Sequence, residues 1–173
     1  MNRIAKFYKI SREQFFNDFI GEFPIEEIEE EQINAIYQVY DDITLPERGT
    51  SGSAGYDFVA PFDIELQPGE VIKVPTGIRC YIQEGWVLQM VPRSSVGFKY
   101  HVMLANTIGV IDSDYYNAKN EGHIWVKLVN HGDKTFNIKG GDKVCQGMFI
   151  PFGITYNDQV DTERVGGIGS TGE

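Results

Sequence analysis

The chain is 173 residues long and carries 15 basic against 25 acidic side chains, a net charge of −10. That length suits one domain with a sizeable core, and the acidic excess excludes a long nucleic-acid duplex as the expected partner, because such binding rests on a basic surface that releases counterions. The sequence has no apolar run of signal-peptide length near its start and none of about 18 residues anywhere, so export and membrane insertion are not expected and a cytoplasmic location is.

The first predicted element follows "MNRIAKFYKI". Ser11 and Gln14 fit a capping box, and Phe15, Phe16, Phe19 and Ile20 form an apolar stripe at helical spacing, so a short amphipathic helix is expected there. After Pro24, "IEEIEEEQINAIYQVY" places Ile25, Ile28, Gln32, Ile36 and Val39 at helical intervals, with six glutamates between Glu22 and Glu31. That charge run reads as a solvated helix face. Residues 1–42 are thus expected to form a helical N-terminal extension.

From Ile43 the pattern changes to short segments rich in valine, isoleucine and aromatics, punctuated by Gly, Pro, Asn or Asp. This is the cadence of an all-β sandwich, jelly roll or barrel, assigned to residues 43–162. "GEVIKVPTGIRCYI", "GWVLQMV", "HIWVKLV" and "KTFNI" read as strands. In the third, Ile124, Val126 and Leu128 alternate with Trp125, Lys127 and Val129, so both faces carry apolar bulk. The second face is expected to be covered by another subunit or by a helix of the N-terminal segment. Cys80 and Cys145 stand far apart with no CxxC or His-rich context, the pattern of two reduced, partly buried thiols and not of a zinc site or disulfide framework.

Four stretches put polar residues where a plain sandwich would accept a turn of almost any composition: "GSAGYDF" (52–58), "PRSSVGFK" (92–99), "NTIGVIDSDYY" (106–116) and "GDKVCQGMF" (141–149). In the second, the planar fork of Arg93 and the hydroxyls of Ser94 and Ser95 suit phosphate oxygens, although a surface turn explains the same residues. In the third, Asp112 should emerge from an apolar strand, where partial burial would fit it to activate water; the alternative is that Asp112 and Asp114 simply open a turn. In a regular strand these two aspartates would share a face and Tyr115 would point away. His101, His123 and His131 show no metal-ligand spacing, and no GxSxG elbow supports a serine hydrolase. The chain ends on "RVGGIGSTGE" (164–173), whose four glycines permit close backbone approach to a ligand. It has neither the lysine nor the following helix of a P-loop.

These stretches, with GGIGSTG in the tail, resemble in order and spacing the five motifs of the trimeric dUTPases (deoxyuridine triphosphate nucleotidohydrolases) over about residues 43–172. The resemblance implies an all-β jelly roll, or β-clip, that forms a homotrimer whose active sites are each shared between subunits. It implies attack of water on the α-phosphorus of dUTP to give dUMP and pyrophosphate, with Mg²⁺ held mainly by the substrate triphosphate. By likeness Asp112 is the general base, and Tyr115 lies under the deoxyribose and leaves no room for a 2′-hydroxyl. Asn106, with Gly109, Val110 and Ile111 and the neighbourhood of Trp125, matches the hairpin that reads uracil. Arg93, Ser94, Ser95 and Gln146 match phosphate-facing residues, and Asp57 matches an aspartate near the water shell of the metal. Residues 163–173 match a mobile lid in which Arg164, Ser170 and Thr171 close over the phosphates and Ile168 covers the base.

The chain departs from the family pattern in three places. Six residues, "YNAKNE", separate Tyr115 from Gly122 where the family has about one; Ile168 replaces a stacking phenylalanine; and Arg164 lies one residue nearer the double glycine. The rival readings are a dCTP deaminase-like enzyme of the same fold, a regulatory or protein-binding module using the N-terminal extension, and a structural jelly roll.

Overall fold

The computed structural model describes residues 2–162, 164 and 166; Ile168, Ser170 and Thr171 of the expected lid lie outside the described residues. The chain opens with a strand, β1 (Ala5–Lys9), followed by helices α1 (Arg12–Glu22) and α2 (Glu30–Asp42). Strands β2 (Glu47–Arg48), β3 (Tyr56–Val59), β4 (Ile64–Leu66), β5 (Val71–Pro75), β6 (Ile78–Ile82) and β7 (Trp86–Pro92) lead to a short helix α3 (Ser94–Tyr100). After it come β8 (Val102–Leu104), β9 (Gly109–Ile111), a 3₁₀ turn (Ser113–Asn117), β10 (Trp125–Asn130), β11 (Phe136–Ile138) and β12 (Lys143–Pro151).

The strands pair antiparallel into a five-stranded sheet of order β2-β3-β12-β7-β9, a three-stranded sheet β5-β10-β8, and the pairs β1-β6 and β11-β4. β7 is the spine of the larger sheet, matched to β12 from Cys145↔Pro92 to Pro151↔Trp86 and to β9 from Leu88↔Ile111 to Met90↔Gly109. The alternation anticipated in β10 is present: Ile124, Val126 and Leu128 are buried, facing a core with Phe58, Val74, Leu88 and Met90. Both cysteines are free and buried; burial pushes the Cys80 thiol up to about 12 and raises that of Cys145 as well.

The N-terminal segment differs from its sequence reading in three ways. β1 was not anticipated, because "AKFYK" buries only Phe7 and its lysines mask the alternation; it nonetheless pairs with β6, Phe7 opposite Cys80. The second helix begins at Glu30 and not near Ile25: Ile28 is 37% exposed, and the free N–H of Glu29 is taken by the side chain of Gln32 at 2.8 Å. The capping box of α1 is half made. Ser11 Oγ accepts the N–H of Gln14 at 3.1 Å, but the N–H of Ser11 itself donates to Glu121 Oε2 at 2.7 Å, across the molecule.

Phe7, Ile10, Phe15, Ile36 and Ile43 join the same buried cluster as the strands. Complete burial of a phenylalanine such as Phe15, which is 0% exposed, contributes about 2–3 kcal/mol. α1 packs against β5, the neighbour of β10, so a helix of the N-terminal segment covers part of that second face.

Candidate active site

Around β9 and the turn that follows it, several residues of the third motif meet at one cavity. Asn106, Gly109, Val110, Ile111, Tyr115 and Trp125 line one cavity of about 260 Å³. That is small beside the roughly 300–1,000 Å³ of drug-sized ligand sites and is the scale of one base and sugar. Gly109 sits against Met90 of β7, where a Cβ would approach the Met90 Cβ to 2.9 Å, so the hairpin lies flush on the sheet. Lys73 and Lys127, directly opposite each other on β5 and β10, complete the wall; Lys73 Nζ lies 4.1 Å from the Trp125 ring centroid and 3.0 Å from Glu22 of α1. Neither lysine has a local signal in the sequence beyond its place in a strand.

Tyr115 is 5% exposed and its hydroxyl is fully engaged: it donates to the carbonyl of His123 at 2.7 Å and accepts from Asn120 Nδ2 at 2.9 Å. Burial raises the phenol above its ordinary value, with the Asn120 hydrogen bond acting in the opposite sense, so the ring is a neutral donor at physiological pH.

Asp112 follows β9 directly and precedes the 3₁₀ turn, with its side chain 49% exposed. Arg164 lies across it: Nη2 is 2.7 Å from Asp112 Oδ2, Nε is 2.9 Å from Asp114 Oδ1, and Cζ is 5.7 Å from the Tyr115 ring centroid. The two aspartates therefore face one way, as expected, but in a tight turn and not a strand. That turn brings Tyr115 to the same guanidinium instead of turning it away. The resemblance sends Arg164 to a phosphate; in this chain it bridges two carboxylates and is 13% exposed.

The second, first and fourth motifs meet elsewhere. Arg93 follows β7 as the cap residue of α3, with Ser94 and Ser95 exposed in the first turn of that helix. Asp57 on β3 holds Arg93 Nε at 3.0 Å with one oxygen and Lys143 Nζ at 2.7 Å with the other. Gln146 stands opposite Asp57 in the sheet and donates to the Pro92 carbonyl at 3.4 Å; Gly55 leaves room beside it for the end of its side chain. Among the described residues no group of three His, Cys, Asp or Glu side chains is placed to hold a metal ion, and no helix is long and apolar enough to cross a membrane.

These two clusters lie at opposite ends of β7. Asp112 lies just beyond the pair Leu88↔Ile111, whereas Arg93 follows Pro92. At about 3.3 Å per residue the strand separates them by roughly 20 Å.

A histidine that the sequence reading left without a role stands behind the cavity. His123 is 0% exposed; its Nε2 accepts the N–H of Gly77 at 2.8 Å, and its Nδ1 is 2.5 Å from Asp18 Oδ2 on α1. Since Nε2 accepts, the proton is on Nδ1 and is donated to Asp18. Burial lowers the affinity of the ring for a second proton, with Asp18 acting in the opposite sense.

A family model described as dUTPase matches residues 41–172. A deoxyuridine 5'-triphosphate nucleotidohydrolase of Lactococcus lactis is 45% identical over 133 residues, covering 75% of this chain and 89% of its own. Its counterpart in Desulfitobacterium hafniense is 43% identical over 136 residues, covering 74% and 87%. Among solved structures, a dUTPase from Streptococcus mutans superimposes with a TM-score of 0.59 at 42% identity over 64% of this chain and 88% of that one. A dUTPase of the S. aureus phage phi11, in which a structural Mg(II) ion is coordinated, shares the fold with a TM-score of 0.57 at 24% identity over 69% and 90%.

Proposed function

Because the chain belongs to the dUTPase family and hydrolyses dUTP to dUMP and pyrophosphate, we propose that the nucleoside is bound in the cavity between β9, β10 and the 3₁₀ turn, with Asp112 as the base that activates water. The observation that carries this reading is the convergence of Asn106, Gly109 to Ile111, Tyr115 and Trp125 on one cavity, with Asp112 at the next position along the chain.

In this reading the backbone from Gly109 to Ile111 and the side chain of Asn106 read the edge of uracil. The ring of Tyr115 supports the sugar. Its hydroxyl is tied at both donor and acceptor, so the ring cannot swing aside for a 2′-hydroxyl, and steric rejection of this kind discriminates strongly. Asp112 takes the proton of the water that attacks the α-phosphorus. Arg93, Ser94, Ser95 and Gln146 present preorganised donors to the phosphoryl oxygens. Asp57 aims Arg93, since its oxygens are engaged by Arg93 and Lys143. Arg164 exchanges its two carboxylates for the triphosphate, and Ile168, Ser170 and Thr171 follow it over the base and phosphates.

The donor set supports Mg²⁺ as a companion of the substrate: with Asp57 already ion-paired, an octahedral ion takes most of its ligands from phosphate and water, as Mg²⁺ commonly does. The ion supplies charge neutralisation, which lets an acidic chain accept a polyanion. The roughly 20 Å along β7 between Asp112 and Arg93 supports an assembly in which the base of one chain meets the phosphate donors of another, as in a homotrimer with shared sites.

The test is a panel of dUTP, UTP, dTTP and dCTP with and without Mg²⁺, scored for pyrophosphate and ammonia. Mg²⁺-dependent pyrophosphate from dUTP with little from the others is expected. Ammonia from dCTP would overturn the reading in favour of a deaminase.

A further inference from the structure

The matched family span begins at residue 41, so α1 lies outside it, as an addition to the part of the chain that carries the motifs. Yet α1 reaches the back of the nucleoside cavity twice from one face. Asp18 holds His123, and Glu22, one turn further along, holds Lys73 over Trp125. The insert after Tyr115 is tied down from the same side. Glu121 adopts φ 57°, a left-handed conformation uncommon outside glycine, and its carboxylate accepts both the N–H and the hydroxyl of Ser11 at 2.7 and 2.6 Å. Arg79 of β6 donates to the carbonyl of Tyr116 and stacks its guanidinium 3.8 Å from that ring. The segment before the matched span and the long hairpin after Tyr115 therefore form one structure.

We propose that this structure sets sugar selectivity: Asp18 is a positioning residue that fixes His123, whose carbonyl receives the Tyr115 hydroxyl and so holds the ring against a 2′-hydroxyl. The chain of contacts is short and fully buried at its centre. Asp18 fixes the imidazole from Nδ1, the Gly77 N–H fixes it from Nε2, and the N–H of His123 donates to the carbonyl of Asn120 at 3.1 Å, the same residue whose side chain donates to Tyr115. With three points of attachment the His123 carbonyl has one position. Removing Asp18 leaves a buried Nδ1–H without a partner, and the imidazole must turn or draw in water to satisfy it. Either response shifts the carbonyl on which Tyr115 depends.

The proposal rests on the reading that Tyr115 excludes ribose, and the experiment separates the two. Steady-state kinetics on the full chain give the ratio of kcat/KM for dUTP to that for UTP in wild type, Tyr115→Ala, Asp18→Ala, Asp18→Asn and Asp41→Asn. Asp18→Ala is expected to lower the ratio roughly 5- to 10-fold, the factor that loss of one hydrogen bond corresponds to, chiefly by raising kcat/KM for UTP. Asp18→Asn, which keeps an acceptor for Nδ1–H, restores most of the ratio. Asp41→Asn breaks only the Arg12 ion pair at the surface of the extension and leaves the ratio unchanged. A wild-type ratio in Asp18→Ala alongside a relaxed one in Tyr115→Ala overturns the proposal alone; a wild-type ratio in Tyr115→Ala overturns the reading beneath it. Should Asp18→Ala fail to fold, Asp18→Ser, too short to reach Nδ1 but suited to a site 19% exposed, reads the same ratio.

Discussion

The two ends of β7 hold their functional groups by different means. At the proposed nucleoside end, Tyr115 and His123 are buried and each polar atom is matched to a neutral partner or to Asp18, so shape is fixed by enclosed hydrogen bonds. At the proposed phosphate end, Ser94 and Ser95 are exposed, and Arg93 is held by a single ion pair to a carboxylate that also serves Lys143. In the proposed function the difference follows from what each end recognises. Telling deoxyribose from ribose is a matter of one hydroxyl and needs walls that do not yield. Binding a triphosphate is a matter of charge, which tolerates exposed, adjustable donors and can be completed by groups arriving from elsewhere.

The contrast can be tested from its strongest consequence downward. Asp112→Asn should lower kcat by about 10²- to 10⁴-fold, the usual contribution of a general base, while nucleotide binding measured by calorimetry is retained. Near-normal turnover in that variant would remove chemistry from the nucleoside end. Arg93→Ala should cost roughly 10- to 100-fold in kcat/KM through loss of one charge-assisted contact, with the dUTP-to-UTP ratio unchanged. A changed ratio would mean that the two ends are not separable. Co-assembly of the two variants in equal amounts sharpens the comparison further. If each site takes its base from one chain and its arginine from another, random mixing returns roughly a quarter of wild-type activity; no recovery would put both groups in a single chain's site.

Much of this arrangement was legible in the sequence, and what was missed has a common cause. The β cadence after Ile43 and the buried face of β10 rest on local spacing, which the chain states openly, whereas the residues lining the cavity are legible only through the resemblance of the ordered motifs to a known family. The contact of Asp18 with His123 spans 105 residues and joins two side chains with no pattern around either. Ser11 illustrates the same limit at close range: its side chain obeys the capping rule, but its N–H is claimed by Glu121 across the molecule. The aspartates were expected on a strand because "GVI" reads as one; the chain turns immediately afterwards, and the turn brings Tyr115 and Arg164 together with them. The position of Arg164 on Asp112 and Asp114 had no local signal, since its partners are set by where the tail runs.

The two buried cysteines lie one behind each of these regions. Cys80 is on β6 beneath the N-terminal strand and beside the turn that carries Tyr115; Cys145 is wedged between Phe58 and Pro92 at the far end of the central sheet. Neither thiol is accessible, and burial disfavours the thiolate that alkylation requires. Each therefore reacts only when its own surroundings open, Cys80 on detachment of the N-terminal strand and Cys145 on parting of the large sheet. An unaltered chain thus carries its own pair of labelling sites, and their separate alkylation rates would order the two regions by the ease with which each unfolds.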